Sequence, residues 1–597
     1  MVTSRALAIA VTAGLLVASP VLGRAQIAEV WSLGDGEKVR EDSVPTATAA
    51  GPIRLFGMRN ETLSFQVVVR AGANGARGVR LELEGLDVGT RQVFREDTVL
   101  VRERSHGLVW RPGSLAEPQV SLGAIPDRLV PLSPAESVDI PKLAQQAFWV
   151  DLWIPPSAQA GKHTGRLAVI GDASCGSPCR MEVEIELLDR TMPDDVRARS
   201  MVWFSGTDQD ERVMARYFSD VKSVSSSDAR ELRLRHYQLA RQHRISLFGQ
   251  HSEIDDELDE LLSGAAFTEG RGYQGPGQGK GLDILVLHAY GGELSNVEAE
   301  SLVQDSKKYT DVADAFVYVM DEPEPDQRAE INRRVEASRP MESFVTTMYT
   351  PKLDTDIFAL LAGMYSRKNA AKGRAAGKKI WIYNGERPHT GSFAIDDVAV
   401  APRVNPWIQY KLGISRWFYW EATYYFDFQG KRGAVDVASD ALNFTNRHGD
   451  RVNGDGLLMY PGRDLLFPEQ DAGVAGPLAS IRLKNWRRGI EDVEYLVMAR
   501  EAGVGEQVDR LLETLLPRVV DQVEPTDAVT FPEDGTSWTR ARRYLFELLR
   551  DGHSDLTFAS VKPAASKPNP PSRFWVAALF GLFAALLLAL WLRRSRG

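Results

Sequence analysis

The 597-residue sequence predicts an α/β multidomain protein: an N-terminal β-sandwich, then a (β/α)8 TIM barrel, with a transmembrane helix close to the C-terminus. Three observations support this fold class. Short alternating strands fill the first third, short apolar runs separated by amphipathic segments fill the middle, and a long uncharged apolar stretch lies near the end. The chain is too long for one ordinary domain. Its net charge is −9, whereas nucleic-acid-binding proteins are typically basic, so no nucleic-acid partner is expected.

The N-terminus has the pattern of a secretory signal peptide over residues 1–25. Arg5 supplies the positive start, Ala6–Ala18 is apolar, and small residues before Gln26 offer a cleavage site. The apolar stretch is too short to cross a bilayer. We therefore predict an exported protein.

The C-terminus has the pattern of a membrane anchor. Phe574–Leu592 is uncharged and about as long as a bilayer-spanning helix. A linker rich in Pro, Ser and Lys (residues 556–573) precedes it, and a basic tail (residues 593–597) follows. Because positive charge stays cytoplasmic, we expect an anchor in the inner membrane with the globular part on the periplasmic or extracellular side. A sorting tail that is later cut off is the alternative.

Residues 27–192 are predicted to form the β-sandwich, because short segments there alternate apolar with polar residues between Gly, Pro, Asn and Asp. The two cysteines, Cys175 and Cys179, lie in a Gly/Pro/Ser loop and are expected to close a small disulfide in an oxidising compartment. The predicted strands are Ser64–Arg70, Val79–Leu86, Ala147–Pro155, Thr164–Gly171 and Met181–Asp189.

Residues 196–550 are predicted to form the barrel with additional C-terminal helices. Eight short apolar runs alternate there with helical segments, and the sixth would also suit a helix. The predicted strands are Met201–Ser205, Ile245–Gly249, Leu282–Ala289, Ala315–Met320, Phe344–Tyr349, Thr355–Leu361, Lys379–Asn384 and Ser415–Trp420.

The fourth predicted barrel strand ends in two adjacent acids, Asp321 and Glu322. Barrel enzymes keep their catalytic residues at the C-terminal ends of the strands, so these two are the candidate catalytic residues. Adjacent strand residues face opposite sides, and the turn must therefore bring both carboxylates round to the pocket. The following acids, Glu324 and Asp326, are expected to start the next helix, where negative charge is favourable.

Several motifs together resemble the catalytic domain of glycoside hydrolase family 123 and its uncharacterised relatives, and the sandwich resembles the N-terminal domain of that group. The resemblance implies a retaining glycosidase that hydrolyses β-linked N-acetylgalactosamine by substrate assistance. In that scheme a buried Glu322 would be the general acid/base, and Asp321 would orient the acetamido group of the sugar. The motifs are the DEP after the fourth strand, Trp381–Gly385, Arg416–Ala422, Gly454–Gly462 and Ser480–Leu496, with Glu61–Arg70 and Phe148–Leu167 in the sandwich.

Aromatic residues near the ends of the last strands are candidates for sugar binding, since flat rings suit the apolar faces of a sugar. About half of them must point outward into the helix layer. We expect a carbohydrate substrate, no cofactor and no metal; no oligomeric state is predicted. The candidate substrate-binding residues are Tyr349, Trp381, Tyr383, Asn384, Trp417 and Trp420.

Two alternative functions stay open at this point. A retaining glycosidase with two protein carboxylates would pair Glu322 as acid with a nucleophile about 5 Å away. Glu386 is the candidate for that role and Glu421 a weaker one. The other alternative is a non-catalytic, polysaccharide-binding envelope protein, because a barrel does not guarantee catalysis.

Overall fold

The structure, a computed structural model, describes residues 26–45, 51–172, 174–175, 179–207 and 211–558. Two β-sheets form the N-terminal part, and an eight-stranded parallel sheet forms the part that follows. Each part has its own apolar core. The barrel core is the larger of the two and is filled with aromatic and aliphatic side chains from the parallel strands.

The N-terminal sheets pack face to face as a sandwich, with six strands in the order β10-β1-β3-β8-β5-β6 and five in the order β2-β11-β9-β4-β7. Inward-facing Val, Ile, Leu and Phe residues of both sheets make the core. Cys175 and Cys179 form the predicted disulfide beside the last strand. The strands are β1 (Gln26–Gly34), β2 (Ile53–Arg59), β3 (Glu61–Ala71), β4 (Ala76–Glu84), β5 (Thr90–Val101), β6 (Gly123–Leu132), β7 (Val138–Ile140), β8 (Gln145–Ile154), β9 (Gly161–Ile170), β10 (Ser174–Cys175) and β11 (Arg180–Thr191).

Each of the eight apolar runs contributes a strand to the parallel sheet, whose order is β13-β12-β19-β18-β17-β16-β15-β14. The sixth run is a strand and not a helix. The order places β13 and β14 at the two edges, so the barrel is nearly closed and lacks a hydrogen-bonded ladder between its second and third strands. The strands are β12 (Arg199–Trp203), β13 (Leu247–Phe248), β14 (Ile284–Leu287), β15 (Asp314–Met320), β16 (Glu342–Val345), β17 (Ile357–Leu361), β18 (Lys379–Tyr383) and β19 (Arg416–Tyr419).

Helices follow most barrel strands, but the connection from β16 to β17 contains none. Serine caps begin several helices: Ser225, Ser295 and Ser480 each accept a backbone N–H from the first turn. The helices are α1 (Glu211–Tyr217), α2 (Ser226–Gln242), α3 (Asp256–Leu262), α4 (Asn296–Ser306), α5 (Arg328–Ala337), α6 (Arg367–Ala375), α7 (Ala401–Leu412), α8 (Ile481–Glu501), α9 (Gly505–Leu515) and α10 (Gly535–Asp551).

The chain after β19 builds three small antiparallel hairpins before it enters α8. The first hairpin begins seven residues after β19 ends, so it lies beside the C-terminal ends of the barrel strands and extends that rim. The hairpin strands are β20 (Phe426–Asp427) with β21 (Gly433–Ala434), β22 (Leu442–Thr445) with β23 (Arg451–Asn453), and β24 (Met459–Tyr460) with β25 (Leu478–Ala479).

Helix α8 joins the barrel to the sandwich through buried ion pairs. Arg482 contacts Asp127 of β6 at 2.7 Å, and Lys484 contacts Asp151 of β8 at 2.7 Å. Both pairs are almost fully excluded from solvent. The charged residues of this motif therefore hold two domains together.

The predicted fold class is wrong on the transmembrane helix and incomplete on the barrel. Throughout the part of the chain that the structure describes, no helix combines the length and the apolar character needed to cross a membrane. The predicted segment Phe574–Leu592 lies outside the described residues, as does the predicted signal peptide, residues 1–25. Within the barrel, the open edge and the helix-free fifth connection depart from an ideal (β/α)8 pattern.

Candidate active site

A cavity of about 530 Å3 lies at the C-terminal ends of the barrel strands. This is the end at which barrel enzymes carry their active sites. Two carboxylates line it, Asp321 after β15 and Glu421 after β19. Its wall is otherwise strongly aromatic and includes Trp203, Tyr290, Trp420, Tyr424, Phe426 and Phe428.

Asp321 is oriented by two hydroxyl groups. Its Oδ1 accepts hydrogen bonds from the Tyr318 hydroxyl and from Thr346 Oγ1, both at 2.7 Å. Tyr318 lies on the same strand, β15, and Thr346 directly follows the neighbouring strand β16. Hydrogen bonds donated to a carboxylate stabilise its ionised form. They also leave Oδ2 available for a ligand.

Glu322 adopts a left-handed backbone conformation, with φ of 39°. Its backbone N–H donates to Thr346 Oγ1 at 2.6 Å, and its Oε1 accepts a hydrogen bond from the Tyr383 hydroxyl at 2.5 Å. A non-glycine residue with positive φ is strained, and such strain concentrates at functional sites. The turn at this residue interrupts the alternation of the strand.

The turn brings both carboxylates near the Tyr383 hydroxyl. Burial raises the pKa of Tyr383, and the charges of Glu322 and then Asp321 raise it further. In a regular strand the side chains of Asp321 and Glu322 would lie on opposite faces, but here both lie near Tyr383. The structure corrects one expectation, since the side chains of Asp321 and Glu322 are both exposed and Glu322 is not buried.

Tyr290, in the loop after β14, lines the cavity and contacts two other residues of its wall. Its hydroxyl donates to the Trp420 carbonyl at 2.8 Å, and its ring lies edge-on to Trp203 with the centroids 5.0 Å apart. Burial raises the pKa of Tyr290 well above its usual value, and the charges of Asp321 and Glu421 add to the rise. This tyrosine was not among the sequence candidates.

Glu421 is a buried carboxylate that lines the same cavity as Asp321. Its Oε1 accepts hydrogen bonds from the backbone N–H groups of Ala422 and Thr423, both at 2.8 Å, and from Thr423 Oγ1 at 3.0 Å. Burial raises the pKa of Glu421 to about 7, against the lowering effect of these hydrogen bonds. A carboxyl group with this pKa changes protonation near neutral pH, as catalytic and substrate-binding groups often do.

Three of the predicted binding residues belong to this site. Trp420 lines the cavity, and Tyr383 holds Glu322. Asn384 acts indirectly: its Oδ1 accepts the backbone N–H of Trp420 at 3.2 Å. The end of β18 therefore positions the end of β19.

The other three predicted binding residues are placed elsewhere. Trp381 and Trp417 are fully buried. The Trp381 ring packs against Phe344 inside the barrel, whereas Trp417 donates from Nε1 to the Asn384 carbonyl. Tyr349 packs edge-on against Phe358, 5.4 Å between centroids, and does not line the cavity. Both faces of a barrel strand are buried, so alternation alone could not separate core tryptophans from pocket tryptophans.

Glu386, the predicted alternative nucleophile, is bound to a different loop. Its carboxylate accepts the Gly363 N–H at 3.2 Å, in the segment after β17. Burial raises its pKa, and His389 and Arg111 lower it. Glu386 does not line the cavity that contains Asp321.

Most residues of this site lie in a part of the chain that resembles a known enzyme family. Residues 307–499 match the model of the glycoside hydrolase 123 catalytic domain. This part of the chain is therefore similar to a glycoside hydrolase 123 catalytic domain. The match begins just before β15 and ends within α8, so it includes Asp321, Glu322, Tyr383 and Glu421. The predicted resemblance is confirmed, and the protein is a glycoside hydrolase.

One solved structure supports the fold of this chain, and a second is only distantly similar. A family 123 glycoside hydrolase from Clostridium perfringens, analysed for glycolipid glycan hydrolysis, matches with a TM-score of 0.58 at 12% identity, covering 88% of this chain and 99% of that one. A family 39 glycoside hydrolase from Bacteroides cellulosilyticus matches with a TM-score of only 0.24 at 9% identity, covering 68% of this chain and 80% of that one. A comparison with curated proteins gives no match.

Three residues of this site that the sequence did not reveal share one property. Thr346, Tyr318 and Tyr290 act by holding other groups, and their residue types are common in loops and strands. A signal existed for Tyr290, which follows β14 in an HAYGG segment at the same rim. Among the residues that the structure describes, no cluster of His, Cys, Asp or Glu could hold a metal ion.

Proposed function

We propose that this glycoside hydrolase is a retaining β-N-acetylhexosaminidase of the N-acetylgalactosamine type that works by substrate assistance. In this mechanism the acetamido oxygen of the sugar attacks the anomeric carbon, so the enzyme supplies an acid/base and a group that orients the acetamide. One observation carries the proposal: Asp321, which lines the cavity, and the adjacent Glu322 are anchored by separate hydroxyl groups.

Asp321 suits the orienting role. Two hydroxyl donors fix Oδ1, which leaves Oδ2 to accept the acetamido N–H. A fixed negative charge at this point also stabilises the positive charge that develops on the acetamido group during attack.

Glu322 suits the acid/base role. It would donate a proton to the departing glycosidic oxygen and then take one from the water that opens the bicyclic intermediate. Tyr383 fixes its Oε1, so Oε2 is directed by the same contact. The exposure of Glu322 gives the incoming water access to it.

The aromatic wall suits a sugar ring. Trp203, Tyr290 and Trp420 offer apolar faces within the same cavity as Asp321. The Clostridium perfringens enzyme with the matching fold was analysed for glycolipid glycan hydrolysis. We extend only that class to this chain and propose a glycoconjugate glycan as substrate.

The test is a panel of aryl β-glycosides of N-acetylgalactosamine, N-acetylglucosamine, galactose and glucose. We expect turnover of the N-acetyl sugars alone, with N-acetylgalactosamine preferred, because the other two lack the internal nucleophile. Comparable turnover of the galactose or glucose glycoside would contradict the proposal.

A second mechanism has one observation in its favour. Glu421 is a carboxylate in the same cavity as Asp321, whereas Glu386 is not. A two-carboxylate retaining mechanism would therefore use Glu421 as the nucleophile, in place of the Glu386 that the sequence suggested. A 2-deoxy-2-fluoro glycoside that labels Glu421 covalently would favour it, and the absence of labelling in an active enzyme would favour substrate assistance.

We also propose that the protein is exported. The Cys175–Cys179 disulfide supports this, because disulfides persist in oxidising compartments. The mature N-terminus is measurable by mass spectrometry of protein from cell fractions. A mature chain that starts near residue 26 would support export, and a chain that retains Met1 would contradict it.

A further inference from the structure

Glu421 is a buried glutamate in the cavity wall that the proposed mechanism does not use. It has 3% of its surface exposed and lines the same cavity as Asp321. The largest contributions that stabilise its ionised form are hydrogen bonds from the neutral donors of Ala422, Thr423 and Ser205. Buried carboxylates that serve only structure are usually paired with a cation.

The geometry leaves Glu421 with unused hydrogen-bonding capacity. The backbone donors of Ala422 and Thr423, and Thr423 Oγ1, all reach Oε1. A carboxylate has about four acceptor positions over its two oxygens. Because three donors share Oε1, Oε2 keeps at least one acceptor position for a ligand in the cavity when the hydrogen bond from Ser205 is counted as well.

The surroundings of Glu421 resemble a sugar-binding site. Trp420, the residue before it, and Tyr290 both line the same cavity, and the Tyr290 hydroxyl holds the Trp420 carbonyl. An aromatic face next to a fixed carboxylate offers an apolar surface for the ring and an acceptor for its hydroxyl groups.

We infer that Glu421 contacts the substrate directly, hydrogen-bonding a hydroxyl group of the sugar in the cavity, and thereby helps to determine which hexosamine is accepted. This inference rests on the proposed function, since it assumes that the cavity binds the sugar. It assigns to Glu421 a binding role that neither Asp321 nor Glu322 performs. Specificity follows because a site built to bind a hydroxyl rejects the analogue that lacks it.

The experiment measures sugar binding by calorimetry, so that it does not depend on turnover. The ligands are N-acetylgalactosamine and its 3-deoxy, 4-deoxy and 6-deoxy analogues, titrated into the full-length wild type and the Glu421→Gln variant. Glutamine keeps an oxygen for the three donors that reach Oε1, which preserves the local fold. Its loss of charge weakens a charge-assisted hydrogen bond to the sugar.

The matched control is Glu494→Gln. Glu494 on α8 is also buried, and burial raises its pKa to about 7 as well. It accepts a backbone N–H from Arg197 and does not line the cavity. The two variants therefore change the same chemical group at two buried positions, and only one of them lines the cavity.

We expect Glu421→Gln to weaken binding of N-acetylgalactosamine by about 10- to 100-fold, the effect of one hydrogen bond to a charged group. For one deoxy analogue the same substitution should change the affinity by less than about threefold, because that analogue lacks the hydroxyl that Glu421 binds. Glu494→Gln should leave every affinity unchanged.

Three results would overturn the inference: equal weakening of all four sugars, equal effects of the two variants, or no sugar binding by the wild type. Covalent labelling of Glu421 by a fluorosugar would also overturn it, since the residue would then be the nucleophile. Binding with the expected pattern but without hydrolysis of any N-acetyl glycoside would refute the proposed function and leave this inference standing.

Discussion

Carboxylates in two regions of this protein, the interface of α8 with the sandwich and the rim of the barrel, are stabilised by different kinds of partner. Between α8 and the sandwich, Asp151 contacts Lys484 at 2.7 Å and Arg487 at 3.0 Å, and all three side chains are almost fully buried. Burial opposes the ionised form of Asp151, but the two cations outweigh it and hold its pKa well below the usual value. Asp127 is similarly paired with Arg482.

In the cavity the carboxylates are held by hydroxyl and amide donors instead. Asp321 is fixed by Tyr318 and Thr346, and Glu322 by Tyr383. Glu421 is fixed by backbone N–H groups and keeps a pKa of about 7. None of these contacts cancels the negative charge.

The difference separates structure from function. A fully compensated carboxylate is locked in one protonation state and stabilises the domain interface. A carboxylate held only by neutral donors has a fixed position but keeps its ability to change protonation or to bind a ligand. In these two regions, the carboxylate with two cation partners belongs to the domain interface, and those held by neutral donors belong to the rim of the barrel.

The largest expected effect is on catalysis, at Glu322. Glu322→Gln should lower kcat/KM for the N-acetylgalactosaminide by about 100- to 10,000-fold, the contribution of a general acid/base. Stability should change by less than about 0.5 kcal/mol, because the side chain is exposed. Steady-state kinetics and thermal unfolding measure the two effects.

The control for this variant is Glu336→Gln, an exposed glutamate on the following helix α5. It should retain wild-type kinetics. If the two variants were equally active, Glu322 could not be the acid/base.

At the interface of α8 with the sandwich, a substitution should lower stability and leave catalysis unchanged. Asp151→Asn should destabilise the protein by about 3–5 kcal/mol, because it leaves Lys484 and Arg487 buried without their partner. The folded fraction should keep its kcat/KM. Chemical denaturation measures the stability, and the exposed pair Arg54–Glu184 provides the control, where Glu184→Gln should cost less than about 1 kcal/mol.

The pH dependence of stability sharpens this prediction. The folded pKa of Asp151 lies below its unfolded value, so its contribution is present above the unfolded pKa and is lost as the pH falls through the folded pKa. The wild type should therefore lose stability below about pH 4, the unfolded aspartate range, more steeply than Asp151→Asn. If the stability of the two proteins fell equally with pH below about pH 4, Asp151 would not be held ionised by the interface.

A smaller effect is expected where a neutral donor is removed from the cavity. Tyr318→Phe removes one of the two hydroxyl groups on Asp321 and should lower kcat/KM by about 10- to 100-fold, as for one hydrogen bond to a charged group. Tyr309→Phe is the control, because the Tyr309 hydroxyl also bonds an aspartate, Asp259, at the surface. A wild-type rate in Tyr318→Phe would mean that the orientation of Asp321 does not depend on this contact.

The smallest effect should come from a residue that the sequence placed in the site and the structure does not. Tyr349 packs on Phe358 outside the cavity, so Tyr349→Phe should change kcat/KM by no more than about twofold. A loss of tenfold or more would show that Tyr349 reaches the substrate.

The barrel strands could be predicted because eight apolar runs of similar length alternate with amphipathic segments. The position of Asp321 and Glu322 followed from that count. The open edge between β13 and β14 could not be predicted, since it depends on strand pairing and leaves no local pattern. The same holds for the helix-free connection before β17.

Within the site, residue type was a partial guide. Trp420 and Tyr383 were predicted and are present, but Trp381 and Trp417, with the same residue chemistry, are core. The strand position of a tryptophan does not tell which face of a fully buried sheet it occupies. The role of Thr346 depends on the turn at residue 322, which only the folded chain shows.

Substrate assistance can be measured most directly with aryl β-N-acylgalactosaminides whose acyl group bears zero to three fluorine atoms. Fluorine withdraws electrons from the acyl oxygen and weakens it as the internal nucleophile. If Asp321 orients that group and Glu322 is the acid/base, kcat/KM should fall steeply with each fluorine, and no protein carboxylate should be labelled by a fluorosugar. A flat dependence on fluorine, together with covalent labelling of Glu421, would contradict the mechanism.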